Sequence, residues 1–211
     1  NLNDSVLLKN EFKSIVDGSS FQMDIQVDSD GDVYKLLGTK VSIYDLMYNM
    51  ITASSNLATN ILIALVGAKE VTVTMRDLGA KNIEVLRGVE DLKAYDLGLN
   101  NSTTAKDLML IMKAIANHSA GTQADCNSMI KILKGQKLND MIPRFLPKDV
   151  AVAHKTGSIT GLHHDAAIIY LPNGRSYILV LLSKNLKDFD KATIQLAEIS
   201  KLIYDYMEIK N

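Results

Sequence analysis

Ile43, Leu46, Met47, Met50 and Ile51 are apolar, while Tyr44, Asp45, Tyr48 and Asn49 lie between them. That i, i+3, i+4, i+7, i+8 spacing predicts an amphipathic helix with one buried face. "SIYD", Ser42 to Asp45, precedes it as a capping-box pattern, with Ser42 as N-cap and Asp45 reaching back. A second helix is expected over Leu57 to Val66, ended by Gly67, and a third over Glu70 to Leu78, ended by Gly79. Thr104 with Asp107 opens another capped helix, whose stripe is Leu108, Ile111, Met112 and Ile115. A shorter helix is expected from Asp125 to Leu133.

The period then changes from helical to alternating. "VAVAHKTG" (150 to 157), "HDAAIIYLP" and "SYILVLL" read as three strands, the last two joined by the turn residues of "PNGR". Leu196, Ile199, Ile203 and Tyr206 predict one apolar face on a closing helix. Residues 1–39 carry no clear period, and "DGSS" and "DSDGD" read as turns or loops. Residues 87–101, "RGVEDLKAYDLGLNN", also lack a helical period and read as a long loop of the functional kind. The fold class expected is α/β of the α+β type: an antiparallel sheet flanked by helices, plus an all-helical lobe. One domain is expected over 1–211, with the helical lobe over 40–148 and the sheet strands and last helix over 149–211.

Composition narrows the function classes. Hydrophobic residues make up 47% of the 211 positions, enough for a conventional core. Lys and Arg (23) nearly balance Asp and Glu (24), and no basic tract occurs, so nucleic acid is not expected as a partner. No apolar run approaches the roughly 20 residues that span a bilayer. Cys126 is the only cysteine, so no internal disulfide is possible. The four histidines, His118, His154, His163 and His164, have no ligand spacing, so no metal site is expected, nor any cofactor. The opening "NLNDSVLLKNEF" lacks Met and begins in mid-pattern, so an upstream piece, with any address it carried, is expected.

Three short features carry possible chemistry: Ser54-Ser55-Asn56, Glu90 in the long loop, and Lys155-Thr156-Gly157. Taken singly each has a plain reading: a helix cap, a solvated carboxylate, and a surface lysine before a turn. A phosphate-binding P-loop does not fit, because His154 and not Gly precedes Lys155.

Their order and spacing resemble the penicillin-recognising serine hydrolases, in particular class A β-lactamases, whose motifs are Ser-x-x-Lys, Ser-Asp-Asn, a loop glutamate and Lys-Thr-Gly. "MITASSNLATNIL" resembles the Ser-Asp-Asn segment and its following helix. "LGAKNIEVLRGVED" resembles the approach to the omega loop, with Arg87 in the place of the anchoring arginine. "STTAKDL" resembles that loop's exit, and "HKTGSITG" the strand bordering the substrate cleft. The resemblance covers roughly residues 40 to 205 and implies a β-lactamase/transpeptidase-like fold.

It also implies roles. Ser54 would pass a proton to the departing lactam nitrogen. Lys155 would offer positive charge to a substrate carboxylate and hold the Ser54 hydroxyl for proton relay. Thr156, in the Lys155-Thr156-Gly157 strand, would donate a further hydrogen bond to the carboxylate. Asn56 would hold a side-chain amide, the Ser158 N–H would form one arm of an oxyanion hole, and Glu90 would activate the deacylating water. The implied partner is a β-lactam or peptidoglycan-like small molecule, met in the periplasm or outside the cell.

Four departures qualify the resemblance. The chain is read as holding no Ser-x-x-Lys: the family's nucleophile lies roughly 60 residues before Ser-Asp-Asn, and that count from Ser54 runs off the N-terminus. A missing N-terminal segment is therefore expected as a complementing piece, and this chain alone is expected to be inactive. Ser55 stands where the family has Asp. Glu90 lies one residue further from Arg87 than the family's glutamate does, Ala94 replaces an Asn, and Asn101 replaces the aspartate that would pair with Arg87. Finally His163 and His164, expected on an edge strand with only one facing the cleft, replace a carboxylate-binding arginine. These departures keep open a penicillin-binding-protein-like member that acylates and stalls, a non-catalytic ligand-binding member, and a helical interaction protein using the motifs structurally.

Overall fold

A computed structural model of the chain describes residues 1–209. The chain divides into two compact units, residues 1–77 with 81–103, and residues 78–80 with 104–211.

The first unit holds β1 (Ser5–Leu7), β2 (Phe12–Lys13), β3 (Ser20–Phe21), β4 (Lys40–Ser42), α1 (Ile43–Thr52), α2 (Asn56–Val66), α3 (Ala68–Asp77) and α4 (Leu92–Asp96), with a short 3-10 helix at Val33–Leu36. Residues 1–39 are thus more ordered than their loop signals suggest. β1 pairs antiparallel with β4, setting Val6 opposite Val41, and β2 pairs with β3. Strands of two or three residues are too short to show an alternating pattern, so the sequence carries no sign of them.

The stripe on α1 behaves as expected: Leu46 is fully buried, and Ile43, Met47 and Met50 pack beside it. Their core partners are Leu8, Met23, Val33, Val41, Leu57, Ala58, Ile61 and Leu62. Each fully buried leucine contributes roughly 1.5–3 kcal/mol relative to exposure. Ser42 caps α1 by accepting the Asp45 N–H at 3.0 Å. Asp45 answers differently from the expected box, since its carboxylate accepts a hydrogen bond from the Ser42 hydroxyl at 2.6 Å. α2 stops at Gly67, whose φ of +84° suits glycine alone.

The 87–101 segment is not wholly irregular. Asp91 accepts the Ala94 N–H at 3.2 Å and starts the single turn α4. Five residues are too few for a helical period to be visible in sequence.

The second unit holds α5 (Ala105–Ala116), α6 (Gln123–Leu133), β5 (Ala151–Ile159), β6 (Leu162–Tyr170), β7 (Ser176–Leu182) and α7 (Phe189–Ile209). Thr104 caps α5 through Asp107 N–H as expected, and Met112 is buried on its stripe. α6 starts two residues earlier than expected, because Thr122 and Asp125 form a reciprocal capping box. The three strands form one antiparallel sheet in the order β5-β6-β7. Its register sets Lys155 opposite Ala166, Thr156 opposite Asp165, and Gly157 opposite His164. α5 lies against β6 and β7, and α6 against β5. α7 packs through Tyr204 onto Ala167, Ile169 and Leu179.

α7 corrects one expectation. Its buried positions are Thr193, Ala197, Ser200 and Tyr204, whereas Ile199 and Tyr206 are 43% and 57% exposed. Small residues let the helix sit close, and the Ser200 hydroxyl donates to the Ile142 carbonyl at 2.9 Å. A hydropathy stripe gives no weight to such positions. No single helix among the described residues is long and apolar enough to cross a membrane.

Candidate active site

α1 ends at Thr52, and α2 begins at Asn56. Between them Ser54 adopts φ +56°, a left-handed conformation uncommon for a residue with a side chain. The capping task falls to Ser55, which is fully buried and accepts the Ala58 N–H on its Oγ at 3.2 Å. The cap reading of the triplet and the site reading therefore apply to different serines, with Ser54 half-buried.

A carboxylate from elsewhere completes the turn. Asp28 accepts the N–H of Asn56 at 3.1 Å and of Leu57 at 2.9 Å, and the Tyr34 hydroxyl donates to it at 3.0 Å. The Ser29 hydroxyl donates to the Ser54 carbonyl at 3.2 Å. Burial, then Asp28, push the Tyr34 phenol well above its ordinary range. "DSDGD" reads locally as a turn only, because no local pattern marks a cap supplied from 28 residues away.

Asn56 links this turn to the loop. Its Nδ2 donates to Glu90 Oε1 at 2.8 Å, and Glu90 also has a left-handed φ of +62°. The first unit thus brings together Ser54, Asn56 and Glu90. Asn60, one turn further along α2, holds the same loop by accepting the Val89 N–H at 2.6 Å and donating to the Val89 carbonyl at 2.9 Å. Gly88 must be glycine for this: a Cβ there would lie 2.2 Å from Asn60 Oδ1.

Arg87 is buried and anchors the loop as expected, through different acceptors. Its guanidinium donates to the carbonyls of Leu99 and Gly88 and to Asn100 Oδ1, each at 2.9 Å. Asn101 accepts the N–H of Leu86 and Arg87 and donates to the Arg87 carbonyl. Asp91, also buried, accepts from the Ser14 hydroxyl and the N–H of Ile15 and Ala94. Burial alone would raise its pKa, but those bonds and Arg87 hold it below the usual carboxylate value. Asp91 and Asn60 were not singled out in the sequence, since neither belongs to a motif.

In the second unit Lys155, Thr156, Gly157 and Ser158 follow one another along β5. Strand alternation and register give Lys155, Gly157 and His164 one face, and His154, Thr156 and Asp165 the other. Burial lowers the Lys155 ammonium to about 8, opposed in part by the Asp165 carboxylate. Thr156 is only 6% exposed, and its hydroxyl has no hydrogen-bond partner among the described residues. An unpaired hydroxyl in such a place costs stability unless a ligand meets it.

His163 and His164 are not on an edge: β6 is the central strand. His163 is buried, 2.9 Å from the Thr193 hydroxyl, and stacks on Phe189 at 4.5 Å. Burial lowers its pKa. His164 Nδ1 accepts the Ser183 N–H at 3.1 Å. His154 sits 3.0 Å from Asp165 and 3.1 Å from Asn139, fully buried. Among the described residues, no group of three or more His, Cys, Asp or Glu is arranged to hold a metal ion.

The expectation that the chain holds no Ser-x-x-Lys is corrected by Ser128 to Lys131, which has that spacing within α6. Both are exposed, and the Ser128 hydroxyl donates to the carbonyl of Ala124 at 3.0 Å, one turn back in the same helix. This quartet follows Ser54 in the chain instead of preceding it, and no Ser-x-x-Lys precedes Ser54.

No curated protein matches the chain significantly. Among solved structures, a β-lactamase from Sphaerobacter thermophilus is similar at 27% identity and TM-score 0.73, over 82% of this chain and 66% of that one. The protein PBP-A is similar at 25% identity and TM-score 0.75, over 83% and 64%. A variant of PBP-A was solved as an acyl-enzyme complex with penicillin G. A class A β-lactamase representative from Bacteroides cellulosilyticus is similar at 25% identity and TM-score 0.75, over 98% and 75%. The chain thus spans slightly less than two thirds of the first two structures' own length. A family model described as the beta-lactamase enzyme family matches residues 13–207. With nearly the whole chain matched and the fold in agreement, this protein belongs to the beta-lactamase enzyme family.

Proposed function

We propose that the protein is a serine hydrolase of the β-lactamase type that opens a β-lactam ring through an acyl-enzyme. The observation carrying this reading is the Asn56–Glu90 hydrogen bond between two left-handed turns, one of them bearing Ser54. Backbone held in a sparsely populated conformation concentrates at functional sites.

The nucleophilic serine is supplied by a segment upstream of this chain. As its oxygen attacks the lactam carbonyl, its proton passes to the lysine of the same Ser-x-x-Lys segment and on through the Ser54 hydroxyl, which gives its own proton to the ring nitrogen as the C–N bond breaks. Lys155 receives the substrate carboxylate, with Gly157 on the same face of β5 giving room beside it, and Asn56 receives a side-chain amide. The Ser158 N–H stabilises the developing oxyanion. Water then attacks the ester, Glu90 takes its proton, the acyl C–O bond breaks, and the serine recovers its proton.

The upstream segment also completes the fold. Among the described residues no strand pairs with the outer edge of β7. A strand added there would satisfy that edge. On this reading the whole of 1–211 is one domain with its complement, this chain alone is inactive, and the protein works in the periplasm or outside the cell. Mass spectrometry of the full-length protein with a penicillin is expected to show a stable or transient mass increase on the upstream serine. No increase at any time would sink the proposal.

A second reading has its own support. Arg87 is anchored by neutral acceptors and Glu90 is spaced one residue further from it than in the family pattern. A loop so altered favours a penicillin-binding-protein-like member that acylates and then stalls, or a ligand-binding member without turnover. Persistence of the acyl adduct for hours distinguishes the stalled member from the hydrolase.

A further inference from the structure

We propose that Asp28 is a positioning residue for the Ser54–Asn56 turn, supplying the carboxylate that Ser55 cannot. The inference rests on the reading of Ser54 and Asn56 as working groups. The first N–H groups of α2 have no partners within the helix. The Ser55 hydroxyl takes the Ala58 N–H. The N–H groups of Asn56 and Leu57 both go to Asp28. A single carboxylate at a helix N-terminus also meets the positive end of the helix dipole.

The surrounding contacts keep that carboxylate in place. Tyr34 donates its hydroxyl to Asp28 Oδ2, which also accepts the Leu57 N–H, while Oδ1 is shared between the N–H groups of Asn56 and Asp30. The next residue, Ser29, donates to the Ser54 carbonyl. The pair Asp28-Ser29 therefore holds the carbonyl of Ser54, a serine at φ +56°, and the first two N–H groups of the helix that follows it. Since Asn56 in turn donates to Glu90, Asp28 fixes the orientation of that carboxylate at one remove.

The test is amide hydrogen exchange on the full-length protein, read by NMR, for Asp28→Asn, Asp28→Ala and Asp28→Ala with Ser55→Asp. Asp28→Asn is nearly isosteric and leaves the fold intact. It is expected to lower protection at Asn56 and Leu57 by about 10- to 100-fold, the equivalent of losing a hydrogen bond to a charged group, while Ala58 keeps its own. Ser55→Asp in the Asp28→Ala background is expected to recover protection at Leu57. Asp28→Asn that folds as the parent and leaves both amides fully protected overturns the proposal, as does a double variant without recovery at Leu57. In full-length protein, Asp28→Asn is further expected to slow penicillin acylation about tenfold. If the parent protein is never acylated, the functional reading fails, and the exchange data still decide the role of Asp28.

Discussion

Asn56 donates its side-chain amide to the Glu90 carboxylate at 2.8 Å, joining residues 34 positions apart. The bond connects the start of a helix to the middle of a long loop. Asn56→Leu keeps the side chain's size and removes the donor. Its expected cost is about 1.5 kcal/mol, the lower end for a bond to a charged group because Glu90 is only half-buried. Urea unfolding followed by circular dichroism measures it, and an unchanged midpoint would show that the loop does not depend on Asn56.

Gly88 lies so close to Asn60 that any side chain would collide with it. Gly88→Ala is expected to lose about 2–3 kcal/mol through overpacking and loss of the Asn60–Val89 bonds. Combining it with Asn60→Ala should cost less than the sum of the two single changes, because the clash and the bonds vanish together. Strict additivity in a double-mutant cycle would contradict the contact.

Lys155 titrates near 8 in the folded chain, against 10.5 for an unhindered lysine, chiefly because it is buried. Between those values the unfolded chain binds more protons than the folded one, so stability rises with pH across that window. Below about 8 both states are charged and the burial penalty is fully present. Lys155→Met removes this dependence. The stability of the parent relative to the variant is expected to climb from pH 8 to 10.5, and a flat difference would rule out the burial effect.

Thr156 offers a separation of fold from function. Thr156→Val replaces an unpartnered buried hydroxyl with a methyl group of similar size. Stability is expected to stay level or rise by up to about 1 kcal/mol. Thr156 lies on the face of β5 opposite Lys155, so penicillin acylation of the full-length protein is expected to be unaltered. A fall of about tenfold in a stable variant would instead place the hydroxyl at the substrate carboxylate, since a carboxylate bond is worth roughly 1.5–3 kcal/mol.

Much of this organisation is legible in the sequence. α1, α2, α5 and the three long strands announce themselves because their patterns persist over many residues. The ordered set of Ser54 with Asn56, Glu90 and Lys155-Thr156-Gly157 pointed to the family that the match over 13–207 shows. What escaped was either short or distant. β1 to β3 have too few residues for a period, and β1 finds its partner β4 only through the fold. α7 buries serine, threonine and alanine, which a search for apolar stripes passes over. Asp28 and Asp91 act on amides far along the chain, so nothing next to them reveals the task. The division of labour between Ser54 and Ser55 depends on backbone angles, to which residue type is blind.

The anchor at Arg87 has a consequence for the conditions the loop can withstand. Each oxygen its guanidinium bonds belongs to a peptide carbonyl or an amide side chain, and none can gain a proton in ordinary acid. An arginine tied to a carboxylate loses its partner's charge when the medium turns sour and feels every rise in salt. Here the guanidinium's own hydrogen bonds have no such partner, so the closure they make between Arg87 and the stretch of Leu99 and Asn100 persists as the medium turns acidic or saline.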